Sequence, residues 1–243
     1  MFTMRRYEIN IKQKKEECKI IRKFAFMIQL FITRHGQTEE NLRRILQGQM
    51  PGHLTQEGIH QAEELRERLK DIPFDCIFTS DLKRAKDSAL IIAKPHQCPI
   101  IEEPLLRERD FGIHTGGPYI KISHALDPSA ETMEQVARRA ADFLNRVSRP
   151  TPLTPPCDGG EYNEHSNDLA NVTTSLPNRE GPRESLYLAV SHGLFLRVLQ
   201  AVFWGVPVRS IEKMDNAEVR ILELDPSKHY SGTLLEEGGG TSN

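Results

Sequence analysis

An α/β sandwich with a largely parallel sheet is the fold this sequence predicts. Two observations point to it. From Met27 onward, short apolar runs alternate with amphipathic segments of helical period. The chain of 243 residues, 38% hydrophobic and 27% charged, is also large enough to bury a sizeable core.

The elements follow in order. Phe26 to Thr33 reads as a buried strand. Leu54 to Gly58 opens a helix that Thr55 can cap, with Ile59, Ala62, Leu65 and Leu69 on one face. Asp75 to Thr79 is a short strand, and Asp81 to Ala93 is a helix with Leu82, Ala85, Ala89 and Ile92 aligned. Pro99 to Ile101 is a further candidate strand. Ser129 to Val147 is the longest helical segment, with Met133, Val136, Ala137, Ala140, Phe143, Leu144 and Val147 at helical spacing. Ser185 to Ser191 is a second apolar strand, followed by a helix over Leu194 to Phe203. Ala217 to Leu224 alternates with period two, so one face is expected to be buried and the other solvated.

Three segments stand outside this pattern. Residues 1–26 hold eight Lys/Arg and three Glu, a local charge of +5, which leaves −7 on the rest of a chain whose total is −2. Met27 opens the first strand and is a candidate start of the native protein, with 1–26 as a basic extension. Residues 150–183 carry six prolines and one aromatic, Tyr162, and read as a long mobile insertion. Residues 227–243 read as a flexible tail. The domain is therefore expected over 27–226.

Charge and composition exclude several classes. A mildly acidic body argues against nucleic-acid binding, which runs on Lys/Arg contacts to phosphates. No apolar run reaches the roughly 18–20 residues that span a bilayer, so no membrane partner is expected. The apolar stretch before Thr33 is too short, and lacks the small-residue cleavage site, for a signal peptide. Cys18, Cys76, Cys98 and Cys157 show no zinc spacing, so reduced thiols, a cytoplasmic location and no metal are expected.

Two His-Gly pairs carry the chemistry. Arg34-His35-Gly36 and Ser191-His192-Gly193 each follow a buried strand directly. Ligands in open α/β sheets bind at the carboxyl ends of strands, so both imidazoles are expected to face one crevice. Glycine after each permits a tight turn and a close approach of backbone N–H groups to an anion.

The sequence here resembles the histidine phosphatase superfamily, the phosphoglycerate mutase-like family. The resemblance rests on Arg34-His35-Gly36-Gln37-Thr38 with Asn41, on Gln47-Gly48, and on Leu54-Thr55 with Gly58 and Gln61-Ala62. It continues through Ser80 to Ala85, Leu105 to Gly112, and Ser191-His192-Gly193. It implies a three-layer α/β/α sandwich with a mostly parallel mixed sheet. It also implies that His35 is the nucleophile, that Glu108 is the general acid and base, and that His192 completes the anion pocket. Arg34 and Arg84 would clamp the phosphoryl group, with Asn41, Gln47, Gly48 and Gly193 beside it. The chemistry suits these types: a neutral imidazole is a nucleophile near pH 7, and guanidinium groups offer forked donors that stay charged. No cofactor is required, and the implied partner is a small phosphorylated metabolite.

Other readings compete. Arg107, Arg109 and Asp110 could make Glu108 one member of a surface ion-pair cluster, and Arg84, between Lys83 and Lys86, could be a solvated helix arginine. Of the remaining histidines, His53 and His114 are expected nearest the cleft. Thr38 stands where dedicated phosphoglycerate mutases usually carry Ser, and the segment from Gly116 to Glu131 is short for a covering lid. Both departures favour a phosphatase over a mutase. A non-catalytic phospho-ligand binder is the reading from another class.

Overall fold

The computed structural model describes residues 28–119, 127–149 and 185–235. The expected insertion at 150–183 and the extension at 1–26 lie outside the described residues. The elements are β1 (Ile28–Arg34), α1 (Glu39–Leu42), α2 (Gln56–Leu69), β2 (Cys76–Thr79), α3 (Lys83–Ala93), β3 (Ile100–Glu102), α4 (Met133–Val147), β4 (Ser185–Ser191), α5 (Gly193–Trp204) and β5 (Val219–Leu224). Single 3₁₀ turns add Pro104–Leu106, Gly112–His114 and Val208–Ser210.

Five strands form one mixed sheet in the order β3-β2-β4-β1-β5. All neighbours are parallel except β5, which runs antiparallel to β1 on the edge. The alternation of side chains along the strands divides the core in two. Ile28, Leu30 and Ile32 of β1 join Tyr187 and Ala189 of β4 beneath α4 and α5. Phe31 joins Leu188 and Val190 on the other face, beneath Leu65 of α2 and Ile92 of α3. Each fully buried Leu, Ile or Phe contributes about 1.5–3 kcal/mol, so both faces are secured by many such residues. Helices thus cover both faces of the sheet, which makes the three-layer sandwich.

Boundaries move where a cap decides them. Thr55 accepts the Gly58 N–H and starts α2 where expected. The helix expected from Ser129 begins instead at Met133. Thr132 accepts the Gln135 N–H while the Gln135 side chain accepts the Thr132 N–H, a reciprocal cap that fixes the start. The edge strand expected from Ala217 begins at Val219, because Ala217 itself has φ of 56°. In β5 the alternation holds: Leu222 and Leu224 are buried and Ile221 is exposed.

The expected flexible tail is corrected in its first part. Tyr230 is buried, stacks on Phe203, and exchanges backbone hydrogen bonds with the Asn145 side chain of α4 at 2.8 and 2.9 Å. Residues 236–243 lie outside the described residues. Cys76 is buried and Cys98 half-buried, both as free thiols, while Cys18 and Cys157 fall outside. Among the described residues, no helix is long and apolar enough to cross a membrane.

Candidate active site

Register places the two histidines side by side. Arg34 pairs with Ser191 across the parallel β1–β4 ladder, so the next residues, His35 and His192, leave the sheet together. Their ring centroids lie 5.2 Å apart, and both side chains are buried. His35 stands at the floor of a cavity of about 1060 Å³ at the carboxyl end of the central strands, which Arg34, Arg84, Glu108 and Gly193 also line; His192 is not among its lining residues.

His35 is held on three sides. Its N–H donates to the Ser191 carbonyl at 3.0 Å, and its own carbonyl accepts from Asn216 Nδ2 at 2.8 Å. Its Nδ1 lies 2.7 Å from the Gly36 carbonyl, which can only accept, so the proton sits on Nδ1 and the lone pair on Nε2. Arg84 Nε donates to that Nε2 at 3.3 Å. Burial, then Arg84, then Arg34 hold the imidazole well below its ordinary value, so the ring is neutral at pH 7.

Arg84 is not a solvated helix arginine. It is 1% exposed. Its Nη2 donates to the Gly48 carbonyl at 2.8 Å, and its Nη1 donates to the carbonyls of Met50 and, at 3.4 Å, Pro51. Burial lowers it to about 10, which leaves it charged at neutral pH. Arg34 donates from Nη1 to the Met214 carbonyl at 3.1 Å, while its buried Nε has no partner among the described residues. His192 exchanges a hydrogen bond between Nε2 and Ser80 Oγ at 2.9 Å, and its buried Nδ1 is likewise unpartnered. Burial first, then Arg84, depress this imidazole too. Arg34 and Arg84 both line the cavity and give its floor a positive charge that a bound oxyanion would offset.

Among the described residues, Glu108 is in no surface ion-pair cluster. Arg107 pairs with Asp81, and Arg109 donates to the Glu131 carbonyl at 2.6 Å. The Glu108 carboxylate instead accepts the N–H groups of Arg109 at 2.9 Å, Leu194 at 3.1 Å and Phe195 at 3.0 Å. It therefore covers the first turn of α5, where the helix dipole favours negative charge.

The expected binding residues divide into liners and props. Asn41 lines the cavity, but its Oδ1 accepts the Thr38 N–H in a reciprocal cap of α1, so only its Nδ2 donors can face a ligand. Gln47 lines the cavity and donates to Thr38 Oγ1 at 2.8 Å. The Gly48 carbonyl positions Arg84. Gly36 does not serve an anion. Its N–H donates to Ser88 Oγ at 3.0 Å, and a Cβ there would lie 2.2 Å from the Gly58 carbonyl oxygen. His114 lines the cavity as expected, whereas the exposed His53 sits 3.8 Å from Glu40 and does not.

Sequence reasoning passed over Ser80, Ser88, Met214 and Asn216, which hold His192, Gly36, Arg34 and His35. Small polar residues after a strand or inside a helix carry no pattern of their own. Only Ser80, inside the Ser80–Ala85 run, stood next to a residue already singled out.

These features together make a candidate oxyanion site at the strand ends of an α/β sandwich, built around two neutral buried histidines, the buried Arg84 and the half-buried Arg34. Comparison with known proteins makes this specific: the profile of the histidine phosphatase superfamily (branch 1) matches residues 30–234, and the chain belongs to that superfamily. The "Probable phosphoglycerate mutase GpmB" of Cronobacter sakazakii is 30% identical over 221 residues, covering 89% of this chain and 94% of that protein. The "Probable fructose-2,6-bisphosphatase TIGAR A" of Danio rerio is 37% identical over 134 residues, 49% of this chain and 52% of that protein. Among solved structures, Bacillus stearothermophilus YhfR aligns at 24% identity with a TM-score of 0.64, covering 85% of this chain and 96% of YhfR. The alpha-ribazole phosphatase from Shigella flexneri aligns at 23% identity and 0.61, covering 86% and 100%. At these identities the structures speak to the fold, which they share with this chain.

Proposed function

We propose that this chain is a phosphatase that hydrolyses a small phosphomonoester through a phosphohistidine on His35, without a metal or organic cofactor. One observation carries the reading. The buried His35 has its proton fixed on Nδ1 by the Gly36 carbonyl, which leaves the lone pair on Nε2, where it accepts from Arg84 Nε at the cavity floor.

Nε2 attacks phosphorus, the bond to the ester oxygen breaks, and Glu108, carrying a proton in the substrate complex, gives it to that oxygen. Glu108 then takes a proton from water, whose oxygen attacks phosphorus and returns the electron pair to Nε2, releasing orthophosphate. Arg34 and Arg84 face the equatorial oxygens, where positive charge counts most in phosphoryl transfer, with the neutral His192 ring beside His35. The expected cytoplasmic location is part of this proposal.

A second reading is a phosphoglycerate mutase, favoured by the name and near-full coverage of the Cronobacter relative. Thr38 and the short stretch between Gly116 and Glu131 weigh against it. Phosphate release from a panel of phosphomonoesters in excess chelator tests both readings. Hydrolysis accompanied by an acid-labile phosphoenzyme, both absent from His35→Ala, is expected. A strict metal requirement, or turnover surviving in His35→Ala, overturns the mechanism. Isomerisation of phosphoglycerate in place of hydrolysis selects the mutase.

A further inference from the structure

Glu108 stands in a stretch, residues 107–110, that belongs to no helix or strand. Its neighbours are nonetheless held on both sides. Three successive carbonyls ahead of it are taken: Arg139 Nη1 donates to those of Leu105 at 2.7 Å and Arg107 at 3.1 Å, and Ser191 Oγ donates to that of Leu106 at 2.7 Å. After it, the Glu131 N–H donates to the Asp110 carbonyl at 2.9 Å, and the Asp110 N–H donates to Glu131 Oε2 at 3.3 Å. Arg109 Nε donates to the Glu131 carbonyl at 2.6 Å.

One pair of side chains joins the two sides. Arg139 Nε and Nη2 donate to Glu131 Oε1 and Oε2 at 2.6 and 2.8 Å, a parallel two-bond fork. Glu131 directly precedes the Thr132 cap of α4, and Arg139 lies in the second turn of that helix. Helical side chains lean toward the helix N-terminus, so Arg139 reaches back to Glu131. Its guanidinium spends four of its five N–H groups here, two on the carboxylate and two on the carbonyls. Its centre also lies 5.2 Å from the centre of the Phe195 ring. Phe195 and Leu194 are the α5 residues whose N–H groups the Glu108 carboxylate accepts. The pair thus fixes both the loop that carries Glu108 and the helix start on which its carboxylate rests. Neither Arg139 nor Glu131 lines the cavity. A partly buried ion pair adds little net stability, because desolvation offsets the attraction, so orientation is its main contribution.

We propose that Arg139 and Glu131 are positioning residues that hold the Glu108 carboxyl group where the leaving oxygen departs. This deepens the phosphatase reading and rests on it for the proton transfer. The effect runs entirely through Glu108.

Arg139→Lys tests it, since an ammonium keeps the charge and loses the fork. The comparison is between benzyl phosphate and 4-nitrophenyl phosphate. The first releases an alkoxide that needs a proton as it leaves, and the second a stable phenolate that does not. For benzyl phosphate, kcat/KM is expected to fall by about 10- to 100-fold, as for a displaced general acid, and for 4-nitrophenyl phosphate by severalfold at most. In a Glu108→Gln background the same substitution should cost little more. Glu131→Gln, which keeps the side-chain shape, should show the same selective loss and carries the test if Arg139→Lys does not fold. Equal losses on the two esters, or an undiminished loss in Glu108→Gln, overturns the proposal.

Hydrogen exchange separates this outcome from a failure of the phosphatase reading. The Leu194 N–H, in the first turn of α5, has no acceptor within its helix, so its protection reports the contact with Glu108. Exchange there should quicken by about tenfold or more in Arg139→Lys, as in Glu108→Ala, while the amides of β1 and β4 stay protected. Unchanged Leu194 exchange sinks the positioning role whatever the turnover. Lost protection in a chain whose wild type hydrolyses neither ester sinks the phosphatase reading and retains the hold on Glu108.

Discussion

The two strand ends look alike in sequence and differ in chemistry. Each has a histidine followed by glycine, and the register of β1 with β4 sets them side by side. At the β1 end, the histidine spends Nδ1 on the Gly36 carbonyl, and its Nε2 accepts from the cavity-lining Arg84. At the β4 end, Nε2 is occupied by Ser80, and Nδ1 is the atom without a partner. The glycines diverge as well. Gly36 lets α2 pack against the strand end through Gly58, whereas Gly193 is the first residue of a helix whose next two N–H groups hold Glu108. Equivalent motifs thus hold their imidazoles differently because their neighbours differ, and the proposed mechanism assigns them different roles.

Replacing each histidine tests that asymmetry most strongly. His35→Ala is expected to lower kcat by about 10⁴-fold or more, as loss of a nucleophile does. His192→Ala, losing one stabilising donor, should cost about 10²–10³-fold and still form phosphoenzyme. Rapid-quench detection of the acid-labile intermediate checks both, and equal losses would erase the distinction.

The glycines give the next largest contrast. Gly36→Ala drives a methyl group against the Gly58 carbonyl at 2.2 Å and should destabilise the fold by about 2–3 kcal/mol. Gly193→Ala meets Arg34 Nε at 3.4 Å, near ordinary contact. It should cost less than about 1 kcal/mol and instead raise KM severalfold by crowding Arg34. Urea midpoints and steady-state kinetics would separate the two.

The remaining effect is shared by both histidines. Each is held neutral by burial well below its ordinary value, so the unfolded chain takes up protons near pH 6.5 while the native state does not. Stability from these groups is therefore present in full above about pH 6.5 and falls as the pH drops below it, by up to about 1.4 kcal/mol per pH unit for each. Denaturant midpoints between pH 5 and 7.5 should show this slope, shallower in His192→Gln. A slope unchanged by that substitution would mean His192 is not held neutral.

Much of this was legible in the sequence. Buried strands at Phe26–Thr33 and Ser185–Ser191 and the capped helix after Thr55 emerge from apolar periodicity and one hydroxyl, because local burial and capping decide them. His35, His192, Arg34 and Arg84 were legible as a group through the ordered motifs. The start of α4 was misplaced because the apolar and small residues run on past the cap that sets it. Gly36 was misread because a glycine in a loop has two uses, and only the packed helix reveals which one applies.

What the sequence determined by itself was therefore the alternation of strands and helices and the residue types gathered at two strand ends. Tertiary structure decided the rest: that Ser80 occupies Nε2 of His192, and that Glu108 covers a helix start and not a surface cluster. These depend on contacts between residues 86 to 112 apart in sequence, and no local pattern encodes a partner at that distance.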